Sequence, residues 1–243
     1  MAKSEQHQAW LDGLDAQSRA KQGGFIDGIS AKLRRSRPVE PPAHPFRGAP
    51  DFWNAFEWPL EERITRFMDN FKAVGGHPVR LADMEAVKSF IAGKASEMSA
   101  KYIIRQNQPE LNELGLEAAL PDAKISVWNS DPNEHWKARA AEADFGVVVA
   151  DYAAAYTGSI TVLSSKDKGR SVSLLPTVLM AIIPAERLHT RLGQVLVNFD
   201  RIGRENLPAG IHFISGPSRS ADIENDLTIG VHGPGVVYAI IVG

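Results

Sequence analysis

The amino-acid sequence predicts an α/β domain built on a largely parallel sheet. Three observations carry that expectation. Helical and strand-like segments alternate from Glu57 onward with short links between them. Phe145-Gly146-Val147-Val148-Val149-Ala150 is a short apolar run rich in β-branched residues, as in strands covered on both faces. Arg187–Arg204 places Leu188, Leu192, Val195, Leu196, Phe199 and Ile202 on one stripe opposite a charged face, the pattern of a helix lying on a core.

Taken in order, residues 1–37 read as a peripheral helix. Phe25, Ile26, Ile29 and Leu33 share one face, and Lys32, Arg34, Arg35 and Arg37 follow where the helix dipole favours cations. Such a helix either packs on the body as an arm or offers its stripe to a partner. Pro38, Pro41, Pro42, Pro45 and Pro50 forbid a helix and favour extended linker chain. The expected division is therefore a helical arm and proline-rich linker over residues 1–50 and an α/β domain over 51–243. Trp53, Phe56 and Trp58, near the linker, are expected to pack.

Leu60–Val74 reads as an amphipathic helix through Ile64, Phe67, Met68 and Phe71. A strand over Pro78–Ala82, a helix over Met84–Ser99, a strand over Lys101–Arg105 and a helix over Pro109–Ala118 follow. Ile125–Trp128 is strand-like, Asn133–Ala143 helical, and the Phe145–Ala150 strand comes next. Ser159–Ser164 and Val178–Ile183 are further strands, the second stopped by Pro184. After the Arg187–Arg204 helix, Ile211–Ser215 and Val236–Val242 complete the strand set.

Composition narrows the function. A chain of 243 residues with 44% hydrophobic and 23% charged residues supports one large domain or two small ones. A formal net charge of −2 gives none of the basic footprint that nucleic-acid binding needs. With no cysteine, disulfides, a thiol nucleophile, thiolate zinc and a self-held iron–sulfur cluster are excluded. Met1–His7 lacks a signal-peptide core, and runs such as Val178–Ile183 fall well short of the ~20 residues of a membrane helix. The expectation is a soluble, cytoplasmic protein with no membrane span.

Three signatures in the last third of the chain gather small and charged residues beside strands, where α/β folds keep their sites. Gly169–Pro176 follows Lys166-Asp167-Lys168; its cations either bind an anion or form a solvated hairpin turn, and P-loop spacing is absent. Ser215–Glu224 reads as a strand end, a Gly216-Pro217 turn and a short helix starting near Ser218 or Ser220. Its free N–H groups, with Arg219 beside them, either hold a carboxylate or phosphate or are simply capped. Gly230–Gly235 is a tight loop in which His232 is either a general acid–base or a structural histidine. There is no G-x-S-x-G elbow, no H-E-x-x-H, and no pair among the seven histidines at metal-ligand spacing.

In their order and spacing, Gly169–Pro176, Ser215–Glu224 and Gly230–Pro234 resemble the lactate-utilization (LUD) domain family over about residues 50–243, and the helix around Phe25–Arg35 is similar to that family's N-terminal arm. The resemblance implies a fold like that of the NagB, ribose-phosphate isomerase and CoA-transferase group, a doubly wound α/β/α sandwich. It also implies a part in oxidising L-lactate to pyruvate alongside two partner proteins that carry the iron–sulfur clusters, with no cofactor in this chain. One segment departs from the family. Where relatives have Ala-Glu-[Thr/Ser]-Gly-[Thr/Ser], this chain has Ala155-Tyr156-Thr157-Gly158-Ser159. A tyrosine, with a reference pKa of about 10, does not replace a carboxylate near neutral pH; Asp151 is the nearest acid available.

The resulting expectation is a subunit for lactate oxidation that binds a small carboxylate or phosphate, or a partner, at the C-terminal strand ends. Thr157, Arg170, Ser218, Arg219 and His232 would line that site, and no residue is assigned a catalytic role. The alternative is a stand-alone enzyme acting on a sugar phosphate, a CoA ester or a similar anion.

Overall fold

The computed structural model describes residues 2–37, 56–223 and 226–243. The proline-rich stretch 38–50, Trp53 and Glu224 lie outside them. The chain divides into two units, Met1–Ala55 and Phe56–Gly243. In the first, α1 (Ala2–Lys32) is one long helix. Exposed ion pairs such as Asp15–Arg19 line it, and Trp10, Leu14, Phe25 and Ile29 are exposed along it, as is Leu33 just after it.

The second unit begins with α2 (Leu60–Ala73), β1 (His77–Leu81), α3 (Met84–Glu97), β2 (Tyr102–Arg105), α4 (Pro109–Leu114), α5 (Leu116–Ala119), β3 (Lys124–Val127), α6 (Trp136–Glu142) and β4 (Phe145–Val149). It continues through β5 (Tyr152–Ala154), β6 (Ser159–Leu163), α7 (Arg170–Leu174), β7 (Val178–Pro184), β8 (Leu188–His189) and α8 (Leu192–Ile202). The last strands are β9 (Ile211–Ile214), β10 (Arg219–Ile223), β11 (Asp226–Ile229) and β12 (Val236–Val242).

Six strands form the central sheet in the order β1-β12-β7-β4-β2-β3, every pair parallel. Their residues alternate between two cores, as strand geometry requires. In β7, Val178, Met180 and Ile182 face one core with Val87 and Ile91 of α3 and Leu111 of α4. Leu179, Ala181 and Ile183 face the other, which holds Phe67 and Phe71 of α2, Ala140 of α6 and Val172 of α7. Burial on both faces is why β4 and β7 read as continuous apolar runs. A second sheet, β8-β5-β6-β9, covers part of the α2 side through Ala153, Ile160, Val162 and Leu188. Its outer face carries α8 through Val195 and Phe199. The architecture is the expected doubly wound α/β/α sandwich, with a small mixed sheet inserted in one helical layer.

Four expectations change. Pro109–Ala118 is two short helices, because Gly115 takes a left-handed φ of 65° and turns the chain between them. The helix expected over Arg187–Arg204 starts only at Leu192. Leu188 is buried as a residue of β8, paired with Ala153, and the Arg191 N–H is capped by Gln194 Oε1 at 2.9 Å. The cations around Gly169 lead into a helix, α7, rather than a hairpin. Finally, no helix follows Ser218: Arg219–Ile223 is a strand paired antiparallel with Asp226–Ile229. The alternation of Leu227, Thr228 and Ile229 outweighs the cap-like Ser and Asp residues. No helix among the described residues is long and apolar enough to cross a membrane.

Candidate functional site

The three signatures do come together. Gly235 N–H donates to the Thr177 carbonyl (3.0 Å), Ser218 N–H to Pro234 (2.9 Å), and Gly230 N–H to Ser218 (2.9 Å). Thr157 joins them through Ser159, whose Oγ lies 3.4 Å from the Thr157 carbonyl and 2.7 Å from Ser215 Oγ. His232 is exposed within the Gly230–Gly235 loop. Thr177 and Gly235, however, immediately precede β7 and β12, so this meeting point lies at the amino ends of the parallel strands. The site expected at the C-terminal strand ends is therefore not where Ser218, Arg219, His232 and Thr157 gather. Their bonds are architectural. The Arg219 guanidinium donates to the carbonyl of Val74, just past the end of α2. A helix leaves such carbonyls unsatisfied, and its dipole favours a cation there.

Arg170 alone of the five candidates lies toward the opposite end. There the chain leaves β2 toward α4 and α5 on one face, and leaves β3 and β4 toward α6 and the second sheet on the other. Adjacent strands whose connections diverge define the crevice in which open α/β sheets bind ligands. Residues 164–170 run across this crevice. Asn107, after β2, donates its N–H to Asp167 O (2.9 Å), and Trp128, after β3, donates its indole N–H to Lys166 O (3.1 Å). Asp151, after β4, pairs with the Lys168 ammonium and accepts the Leu163 N–H at 2.8 Å. Asp151 is thereby committed, which argues against it as a substitute for the acid that the resemblance implied at Tyr156. Gln106 is fully buried, and neither atom of its side-chain amide has a hydrogen-bond partner. An unpaired buried amide costs free energy on the order of 1–3 kcal/mol and calls for an explanation.

Next to the crevice, Ser164 Oγ and His212 Nε2 are 3.0 Å apart. Ser164 follows β6, and His212 sits on β9 opposite Val162. Burial pushes the His212 pKa down, and the Arg170 charge pushes it further the same way, so the ring is neutral at physiological pH. Among the described residues, nothing forms a hydrogen bond or ion pair with the exposed Arg170 guanidinium. The sequence reading missed Ser164, His212 and Gln106. A signal existed for the first two: both stand at inward positions of strands whose other inward residues are Ile160, Val162 and Ile214.

Tyr156 stands apart from this crevice. Its ring lies 5.6 Å from Phe56 and 6.2 Å from Trp58, and Asn70 Nδ2 holds its carbonyl at 3.0 Å. The position at which the family resemblance implied an acid is part of an aromatic cluster.

The LUD domain profile matches residues 64–242, and the chain belongs to the LUD domain family. It is 34% identical over 213 residues to lactate utilization protein C of Halalkalibacterium halodurans, spanning 86% of this chain and 92% of that protein. It is 29% identical over 222 residues to lactate utilization protein C of Bacillus subtilis, spanning 88% and 92%. Among solved structures, a DUF162 family protein from Deinococcus radiodurans shares the fold with a TM-score of 0.56. That match covers 76% of this chain and 99% of the other at 19% identity.

Proposed function

We propose that this chain is a component of an L-lactate utilization system, acting with iron–sulfur proteins in the oxidation of lactate to pyruvate. The observation that carries the reading is its similarity to lactate utilization protein C over nearly the whole length of both proteins. The absence of cysteine supports placing the clusters on partners. The crevice at the carboxyl ends of β2, β3 and β4 is the part of the chain best suited to a small anionic ligand, since Arg170 borders it and Gln106 lies buried beside it.

The test is made in the native host. Deleting the gene should abolish growth on L-lactate while sparing growth on other carbon sources, and a tagged chain from lactate-grown cells should recover iron–sulfur proteins. Unimpaired growth of the deletion strain on lactate would overturn the reading. One observation favours the stand-alone enzyme instead: a serine hydroxyl bonded to a neutral histidine is a nucleophile–base pair. Turnover of a CoA ester or sugar phosphate by the purified chain, lost in Ser164→Ala, would support that alternative.

A further inference from the structure

We propose that Arg170, His212 and Ser164 form a binding site for a 2-hydroxycarboxylate, Arg170 taking the carboxylate and the Ser164–His212 pair the hydroxyl. This assignment rests on the lactate-utilization reading and gives it a location.

The pair is built into the fold. The inner row of β6 and β9 runs Ile160, Val162, Ser164 on one strand and Ile214, His212, Gly210 on the other, apolar until it reaches the crevice. Gly210 makes room there. A Cβ at that position would lie 2.6 Å from His212 Nε2 and 2.9 Å from Ser164 Oγ, while its backbone conformation is one that any residue adopts. The glycine thus keeps space around two polar side chains rather than serving a turn. Ser164 is anchored through its N–H to Gly210 O at 2.9 Å, so the hydroxyl and the ring are presented from paired strands and not from a mobile surface.

The chemistry of the three groups suits one ligand class. A neutral imidazole and a serine hydroxyl can each donate and accept, which is what a ligand hydroxyl requires. A guanidinium binds a carboxylate through two parallel N–H bonds. The neighbouring cation, Lys168, is committed to Asp151, and Arg187 is committed to Glu110 (3.1 Å) and to the Ala150 carbonyl (2.9 Å). Lys166, the other cation of the segment, points into solvent with Asp167 4.0 Å away, whereas the Arg170 charge acts on the His212 ring itself, so Arg170 is the cation placed beside the pair. The unpaired amide of Gln106 is buried next to Asn107, whose N–H bonds to Asp167 of the same 164–170 segment.

The experiment follows the His212 ring nitrogens by long-range proton–nitrogen NMR in the purified full chain while L-lactate is added, with propionate, inorganic phosphate and CoA as comparisons. Propionate differs from lactate only in lacking the hydroxyl. L-lactate should shift the His212 ring signals saturably. Propionate should bind about tenfold more weakly, the loss of roughly one good hydrogen bond. Arg170→Gln, a change at an exposed side chain, should weaken lactate binding at least tenfold with the rest of the spectrum unchanged, and Ser164→Ala should erase the preference for lactate over propionate. The assignment fails if saturating lactate leaves the His212 ring unmoved, if Arg170→Gln binds lactate as well as the parent, or if phosphate or CoA binds tighter than lactate at the same signals. A deletion strain unable to use lactate, with no lactate binding by the chain, would retain the pathway role and discard this site. The reverse pairing would retain the site and discard the role.

Discussion

Replacing Gly146 by alanine should dislodge α7 from the sheet. Gly146 lies in β4 between Leu179 and Ile104. A Cβ there would sit 2.0 Å from the Val172 carbonyl oxygen and 2.9 Å from Pro176 Cγ. To restore ordinary contact near 3.4 Å, α7 must retreat by about 1.4 Å, because the clashing atom is its own backbone and cannot rotate away. The Val172 side chain, wholly buried on the inner face of α7, would lose its packing in that move. Overpacking of this kind costs about 1–3 kcal/mol, and a backbone clash belongs at the upper end. For a domain of this size, about 3 kcal/mol corresponds to a fall in Tm of roughly 6–12 °C. Gly193→Ala in α8 is the matched control: beyond its chain neighbours and the backbone of its own helix, no atom lies within 4 Å of its Cβ position, and it should gain about 0.5–1 kcal/mol from helix propensity. Thermal unfolding and urea titration of both variants measure the contrast. A Gly146→Ala protein as stable as the parent would refute the close approach of α7 to β4.

Three further outcomes are expected. Arg105 is buried and bonded to Glu117 (2.8 Å) and Asn112 (2.6 Å), whereas Glu117 is about half exposed; Glu117→Ala, which strands a buried guanidinium, should therefore cost about 2–3 kcal/mol in urea titration while Arg105→Met costs less. Burial is the main cause lowering both His189 and His212, assisted by the Arg63 and Arg170 charges and, at His189, opposed by Glu57. The unfolded chain then binds more protons just below the unperturbed value of 6.5, so stability should be complete above that pH and fall as pH drops through the window beneath it. Calorimetry should find the slope flattened in the His189→Gln/His212→Gln variant. Arg219→Ala removes the bond to Val74, and hydrogen exchange should quicken at Gly230 and along β10–β11 while global stability changes by less than about 1 kcal/mol, because the side chain is exposed.

The sheet was legible because its strands are covered on both faces, so Phe145–Val149 and Val178–Pro184 stand out as apolar runs. Elements of two or three residues were not. Tyr152–Ala154 and Leu188–His189 carry no period of their own, and their pairing is a tertiary outcome. The 215–223 segment misled because serine and aspartate serve caps and turns equally well, and only its partner strand decides between them. The convergence of the signatures was visible in sequence, but which end of the sheet they occupy was not. That depends on their standing before β7 and β12 rather than after them. Arg170 entered the candidate set through its charge. The Ser164–His212 contact was not legible because the two residues lie apart in sequence and meet only across a strand pair.

The first strand of the sheet has a consequence for how the protein is made. Among the described residues β1 pairs only with β12, residues 77–81 against 238–242, and Arg80 Nε reaches the Gly243 carbonyl at 3.3 Å. During synthesis β1 therefore emerges without its neighbour and must wait until about 160 further residues have been added. β7 lacks one flank for the same reason. Closure of the parallel core is thus a late event, governed by contacts remote in sequence, and such folding is slow and exposes strand edges meanwhile. A nascent chain stopped before residue 236 would leave both β1 and one edge of the apolar β7 unpaired at once, and the β7 edge is where a chaperone would be expected to hold it.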